Sequence, residues 1–84
     1  ETLKQYIGIY ELQPGFNIEV SVKDGKLFAQ ATGQGEFELF AEEKDKFFLK
    51  VVVANVHFFR NAEGHVVSLT LFQGGQEMPG KKVN

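Results

Sequence analysis

Residues 65–76 read HVVSLTLFQGGQ. Val67, Leu69 and Leu71 alternate with Val66, Ser68, Thr70 and Phe72, and the run ends at Gly74-Gly75. Alternation at period two marks a half-buried β-strand, because successive side chains of a strand point to opposite faces. The Gly pair marks a tight hairpin, since both central residues of a type I′ turn need positive φ. The segment is a strand and its turn, and it holds no residue set that performs chemistry. Outward from it the same pattern repeats. Pro14-Gly15 suits a type II turn, with Pro presetting φ and Gly accepting a positive one. Asp24-Gly25 is a two-residue hairpin signal, Gly33-Gln34-Gly35 and Glu43-Lys44-Asp45 read as short loops, and Asn61–Gly64 reads as a type I turn closed by a left-handed Gly. Between these points lie aromatic and β-branched runs at about 8–12, 16–23, 26–32, 36–42, 46–51, 55–60, 65–73 and 76–83. The turn between the fifth and sixth runs, at Val52–Ala54, carries no Gly, Pro or Asp.

Parallel crossovers need roughly a dozen residues or more, and these connections are far shorter. The expected fold is therefore all-β: a small antiparallel up-and-down meander of about eight strands. Closing it into a barrel removes the edge strands that invite aggregation. Leu3, Tyr6 and Ile7 fall at helical spacing and predict one short N-terminal helical turn plugging an end of the barrel. Alternation assigns an inward set of Phe16, Ile18, Val20 and Val22 on the second strand. Further along, the set is Leu27, Ala29, Ala31, Phe37, Leu39, Phe47, Leu49, Val51, Val56, Phe58, Val67, Leu69 and Leu71. An eight-stranded barrel is just wide enough to be filled by side chains or to hold one small ligand. So many inward Phe and Leu favour a filled interior.

The 84 residues make one domain, 1–84, small enough that its core must be dense. Nine Phe meet that need, each ring burying roughly 150–250 Å² when enclosed. The absence of Cys excludes a disulfide framework and a Cys-based zinc site. A net charge of −2 and a pI near 5.6 argue against nucleic acid as a partner, Lys81-Lys82 being the one adjacent basic pair. The longest apolar stretch, FFLKVVVANVHFF, is interrupted by Lys50, Asn55 and His57, so no membrane span is expected. The chain opens on Glu1 with neither Met nor a signal peptide, which suggests a domain excised from a larger chain or a processed product.

Several segments together carry a family resemblance. They are Tyr6-Ile7-Gly8-Ile9-Tyr10, Leu12-Gln13-Pro14-Gly15-Phe16, Asp24-Gly25-Lys26-Leu27 and Ala29-Gln30-Ala31-Thr32-Gly33-Gln34. Glu38-Leu39-Phe40, Phe47-Phe48, Gly64-His65-Val66 and Leu69-Thr70-Leu71-Phe72-Gln73-Gly74-Gly75 continue them. The pattern resembles a lipocalin-like domain at the C-terminus of bacterial and archaeal serine hydrolases of the β-lactamase/penicillin-binding-protein type. The resemblance covers essentially the whole chain and implies an antiparallel barrel appended to an extracytoplasmic (periplasmic or secreted) hydrolase. It brings no catalytic residue with it: Ser21-Val22-Lys23 is not Ser-x-x-Lys, and no Lys-Thr-Gly follows.

Direct inspection finds no enzyme. His57 and His65 are the sole histidines, too few for a metal site without further ligands. Glu36 and Glu38 share a strand face, which a solvated surface explains without a hydrolytic dyad. The Gly residues sit at hairpins rather than before a helix, so no phosphate-cradling loop is indicated, and no cofactor is expected. One feature exceeds what a bare barrel needs. Phe28, Phe40, Phe48 and Phe59 all fall on the outward face. Pairing Ala31 with Phe37, Leu39 with Leu49 and Val51 with Val56 sets Phe28 opposite Phe40, Phe40 opposite Phe48 and Phe48 opposite Phe59. The row then meets Val66. Such a band is either covered by the N-terminal segment or is a docking surface for the catalytic domain of the same chain or a second copy of the barrel. The alternative function is a carrier of a small apolar ligand at a barrel mouth lined by Tyr6 and Tyr10.

Overall fold

The computed structural model describes residues 2–50 and 53–84. A 3-10 turn, Thr2–Tyr6, precedes eight strands: β1 Gly8–Gln13, β2 Phe16–Lys23, β3 Lys26–Ala31, β4 Glu36–Glu43, β5 Lys46–Leu49, β6 Ala54–Arg60, β7 Val66–Gln73 and β8 Gln76–Lys82. Each pairs antiparallel with its sequence neighbour, as the short turns require, and β8 returns to β1, closing the meander into a barrel. The inward Val51 of the expected set, its pairing with Val56 and part of the unmarked fifth turn lie outside the described residues.

The turns behave as their residues dictate. Asp24 and Gly25 take φ of 52° and 75°, and Gly74 and Gly75 take 60° and 79°, the paired positive values of a type I′ hairpin. Barrel closure is brief, resting on Tyr10↔Lys82 and Glu11↔Lys81. Residues 76–80 of β8 lie beyond that seam. Pro79, which has no N–H to donate, falls among them. At Gly80 a Cβ would sit 2.8 Å from Leu12 Cδ1, so the missing side chain is the space that Leu12 fills.

Three irregularities bend the barrel, and one of them changes a face assignment. Between Phe59↔Ser68 and Arg60↔Val66 the ladder skips Val67, a β-bulge in β7. The extra residue reverses the alternation below it. Val66, expected outward, is 4% exposed in the core, whereas Val67, expected inward, is 38% exposed.

Alternate connections gather at opposite ends. One end holds the 3-10 turn with the turns at Asp24-Gly25, Asp45 and Asn61–Gly64; it is called the closed end below. The other holds the turns at Pro14-Gly15, Gly33 and Gly74-Gly75, and is the open end. The core is densest toward the closed end, where Tyr10 and Leu69 are fully buried and Tyr6, Phe47 and Phe58 nearly so. The helical turn expected to plug the barrel does so through Tyr6, with half-buried Leu3 packed beside it, while Ile7 is exposed.

Candidate functional site

Three places on the molecule combine side chains that sequence alone leaves scattered. The first is the outer face of β4 and β5. Phe40 stands opposite Phe48 with ring centroids 5.8 Å apart, as the alternation predicts. Lys50 lies over the Phe40 ring, its Nζ 4.2 Å from the centroid, a favourable placement of an ammonium on a π face. Beside this pair an open groove of about 510 Å³ is lined by Glu42, Phe48, Leu49, Lys50, Val53, Ala54 and Asn55, with Val53 93% exposed.

The five-strand band is shorter than expected. Phe28 pairs with Glu38 rather than Phe40, Phe48 with Asn55 rather than Phe59, and Phe59 with Ser68. Phe28 stands apart under Lys23, whose Nζ is 5.7 Å from its ring and also holds Glu36 at 2.8 Å. Phe59 is exposed toward the closed end, and Val66 has left the surface altogether. In place of Phe59, the row beyond Asn55 reaches Phe72, which packs on His57 with centroids 4.6 Å apart. Sequence alternation marks Phe72 as outward; nothing in it says that Phe72 aligns with Phe48.

The second place is the closed end. The Tyr6 hydroxyl donates to Asp45 Oδ1 at 2.6 Å, and the Tyr10 hydroxyl donates to the Tyr6 carbonyl at 2.8 Å. Arg60 grips both carboxylate oxygens, Nε to Oδ2 at 2.9 Å and Nη2 to Oδ1 at 2.8 Å, while Nη1 reaches the Gly64 carbonyl at 2.7 Å. Arg60 thereby holds the Asp45 carboxyl below the usual carboxylate range, with the Tyr6 hydrogen bond adding to the effect. Burial, then the Asp45 hydrogen bond, pushes the Tyr6 phenol up, and burial raises Tyr10 further. Raised phenols stay protonated at neutral pH, and each of the three Arg60 nitrogens has a partner. The cluster is a latch joining the 3-10 turn to two strand connections. Tyr6 and Tyr10, expected at a ligand-binding mouth, fill this closed end instead.

The third place is the open end, where inward Ala29, Ala31 and Ala54 leave a cavity of about 150 Å³ walled by core residues. Sequence patterning counts Ala29 and Ala31 as inward and leaves Ala54 in the unmarked fifth turn, whereas the structure makes it the first residue of β6; nothing in the patterning reveals that the small size of the three leaves a space. The other candidates do not converge. His65 lies 3.8 Å from Glu63 at an exposed turn, and Ser21 stands opposite Phe28 on β2. Among the described residues no group of three or more His, Cys, Asp or Glu is placed to hold a metal ion. Nor is any helix among them long and apolar enough to cross a membrane.

Compared with known proteins, residues 1–82 match the family model described as "Domain of unknown function (DUF3471)". The chain belongs to the DUF3471 family. Penicillin-binding protein 4* of Bacillus subtilis (strain 168) is similar to this DUF3471 domain, 32% identical over 73 residues. That match takes in 87% of the present chain and 16% of the Bacillus protein, so the chain spans a small fraction of its relative. No solved structure matches it. The relative agrees with the penicillin-binding-protein side of the resemblance drawn from the turn and core segments; neither comparison bears on its lipocalin-like side or assigns a role to any side chain described above.

Proposed function

We propose that this DUF3471 domain is a non-catalytic accessory barrel, of lipocalin-like type, within or alongside a penicillin-binding-type serine hydrolase outside the cytoplasm. One observation carries the reading: a segment of this length makes up 16% of a penicillin-binding protein, leaving ample chain for a separate catalytic unit. The side-chain geometry supports the non-catalytic part. The best-connected polar cluster, Tyr6–Asp45–Arg60, is consumed in holding the barrel's end closed.

The hydrolase domain would dock on the outer face of β4 and β5. Phe40 and Phe48 provide a rigid aromatic pair, and the adjoining groove with exposed Val53 provides a recess for a partner side chain. Glu42 and Lys50 give that groove both signs of charge at its rim. Aromatic anchors of this kind carry most of the energy of protein interfaces, about 2 kcal/mol or more each when truncated.

The test is association between the barrel and the separately produced hydrolase domain, measured by calorimetry. Phe40→Ser and Phe48→Ser should each weaken binding by more than about tenfold while the barrel stays folded. Binding unchanged in both variants removes this face from consideration.

A further inference from the structure

The inward positions of the barrel are filled unequally along its axis. Toward the closed end they carry Tyr10, Phe47 and Phe58, with Tyr6 inserted from the 3-10 turn. Toward the open end β3 carries Ala29 and Ala31 and β6 carries Ala54. The cavity these alanines leave, about 150 Å³, is walled by Ile18, Leu39, Leu49, Val56 and Leu71, with Phe37 among its lining. Ala29, Ala31, Leu49 and Leu71 are half-buried although they point inward, so the space opens to water. Concave apolar wall in contact with water is surface whose burial is favourable, at roughly 25 cal/mol per Å².

Size and polarity define the guest. A space of ~150 Å³ between apolar side chains is the size that accepts a benzene-sized molecule. The volume falls short of the roughly 300 Å³ of pockets that enclose larger ligands, which excludes long acyl chains and fused-ring molecules. Among the described residues no charged side chain lines the space; the polar members are the amides of Gln34 and Gln73. A charged guest would lose its hydration with no counter-charge, whereas a neutral one could leave a hydroxyl or carbonyl to these amides. We infer that the open end binds one small neutral apolar molecule, of single-ring or short branched-alkyl size, with its polar group beside Gln34 and Gln73. The inference is independent of docking on β4 and β5.

Methyl-resolved NMR of the 84-residue chain, titrated with benzyl alcohol to millimolar concentrations, tests it. Saturable shifts are expected at the Ala29, Ala31, Ala54, Leu39 and Leu71 methyls, with Val66 and Leu69 toward the closed end unmoved. Benzoate, the charged counterpart, should leave all of them in place. Ala31→Leu fills the cavity from β3 and should abolish the shifts; Ala54→Val, filling it from β6, serves if the first variant does not fold. Absence of saturable shifts overturns the proposal, as does an equal response to benzoate or a response that survives filling. If the same methyls respond in the isolated chain but not in a longer parent protein, a protein side chain occupies the space, and a free guest is excluded.

Discussion

At the closed end of the barrel, Tyr6 packs on Phe58 with centroids 4.5 Å apart, meets Phe47 edge-on at 5.2 Å, and hydrogen-bonds Asp45, which lies 39 positions away in the chain. At the open end, three alanines occupy inward positions, and among the described residues nothing comparable reaches across. The strands that form the two ends are the same eight, so the contrast arises from side-chain size and from residues 2–6, which fold in over one end. Stability is therefore concentrated where long-range aromatic contacts and the Asp45–Arg60 latch coincide, and spare volume is concentrated at the other end. A barrel of this size can be densely packed at one end and still leave a cavity at the other.

That contrast can be broken most forcefully from the closed end. Tyr6→Ala removes a buried ring and the latch's hydroxyl together, and should cost about 3–5 kcal/mol of unfolding free energy in urea titrations. If the loss is below about 1 kcal/mol, the 3-10 turn is not holding the end shut.

The phenols offer a second handle, since the chain has two Tyr and no Trp. Both are raised above the ordinary value of about 10. Their neutral forms thus stabilise the fold fully below that value, and this contribution is lost as pH rises through the folded-state values. Tyrosinate absorbance should stay low past pH ~10 and then rise together with unfolding. Ordinary titration of either phenol in the folded chain contradicts the burial seen for it.

Asp45 works at the opposite end of the pH scale. Its lowered value means that its stabilisation is present above about pH 4 and disappears as the pH falls through the folded-state value. Asp45→Asn should lower stability at neutral pH and flatten the acid limb of the stability profile; an unchanged acid limb means that Arg60 does not hold the carboxylate in solution. The smallest effect is expected at the open end, where Ala54→Val adds volume into existing space and should change stability by less than about 1.5 kcal/mol. A larger loss there shows that the cavity is not available.

Much of this architecture is legible in the sequence, and the failures have definite causes. Most strand limits agree closely with those expected because residues suited to a turn bound them, such as Asp24-Gly25 and Gly74-Gly75; the connection from β5 to β6 carries no such residue, and there the limits differ. Register is harder. Pairing Phe37 with Ala31 instead of the observed Ala29 is a slip of two residues, which keeps every side chain on its proper face, so alternation cannot detect it. That slip is what placed Phe28 in a row with Phe40. Phe40 and Phe48 pair as expected because matching the inward residues Leu39 and Leu49 sets their register without counting from the turn, where an irregularity between Ala41 and Glu43 intervenes. The exchange of Val66 and Val67 has another origin: a bulge breaks the period of two itself. The Tyr6–Asp45–Arg60 latch and the alanine-lined cavity were not legible at all, since both depend on which distant residues share an end of the barrel.

The proposed docking through β4 and β5 is tested most directly by amide hydrogen exchange on the barrel, alone and bound to the proposed hydrolase domain. Slowed exchange centred on the strands that carry Phe40 and Phe48, with β7 and β8 unchanged near the closed end, is the predicted result. Protection spread over β7 and β8, or no protection anywhere on a barrel shown to be bound, would contradict it.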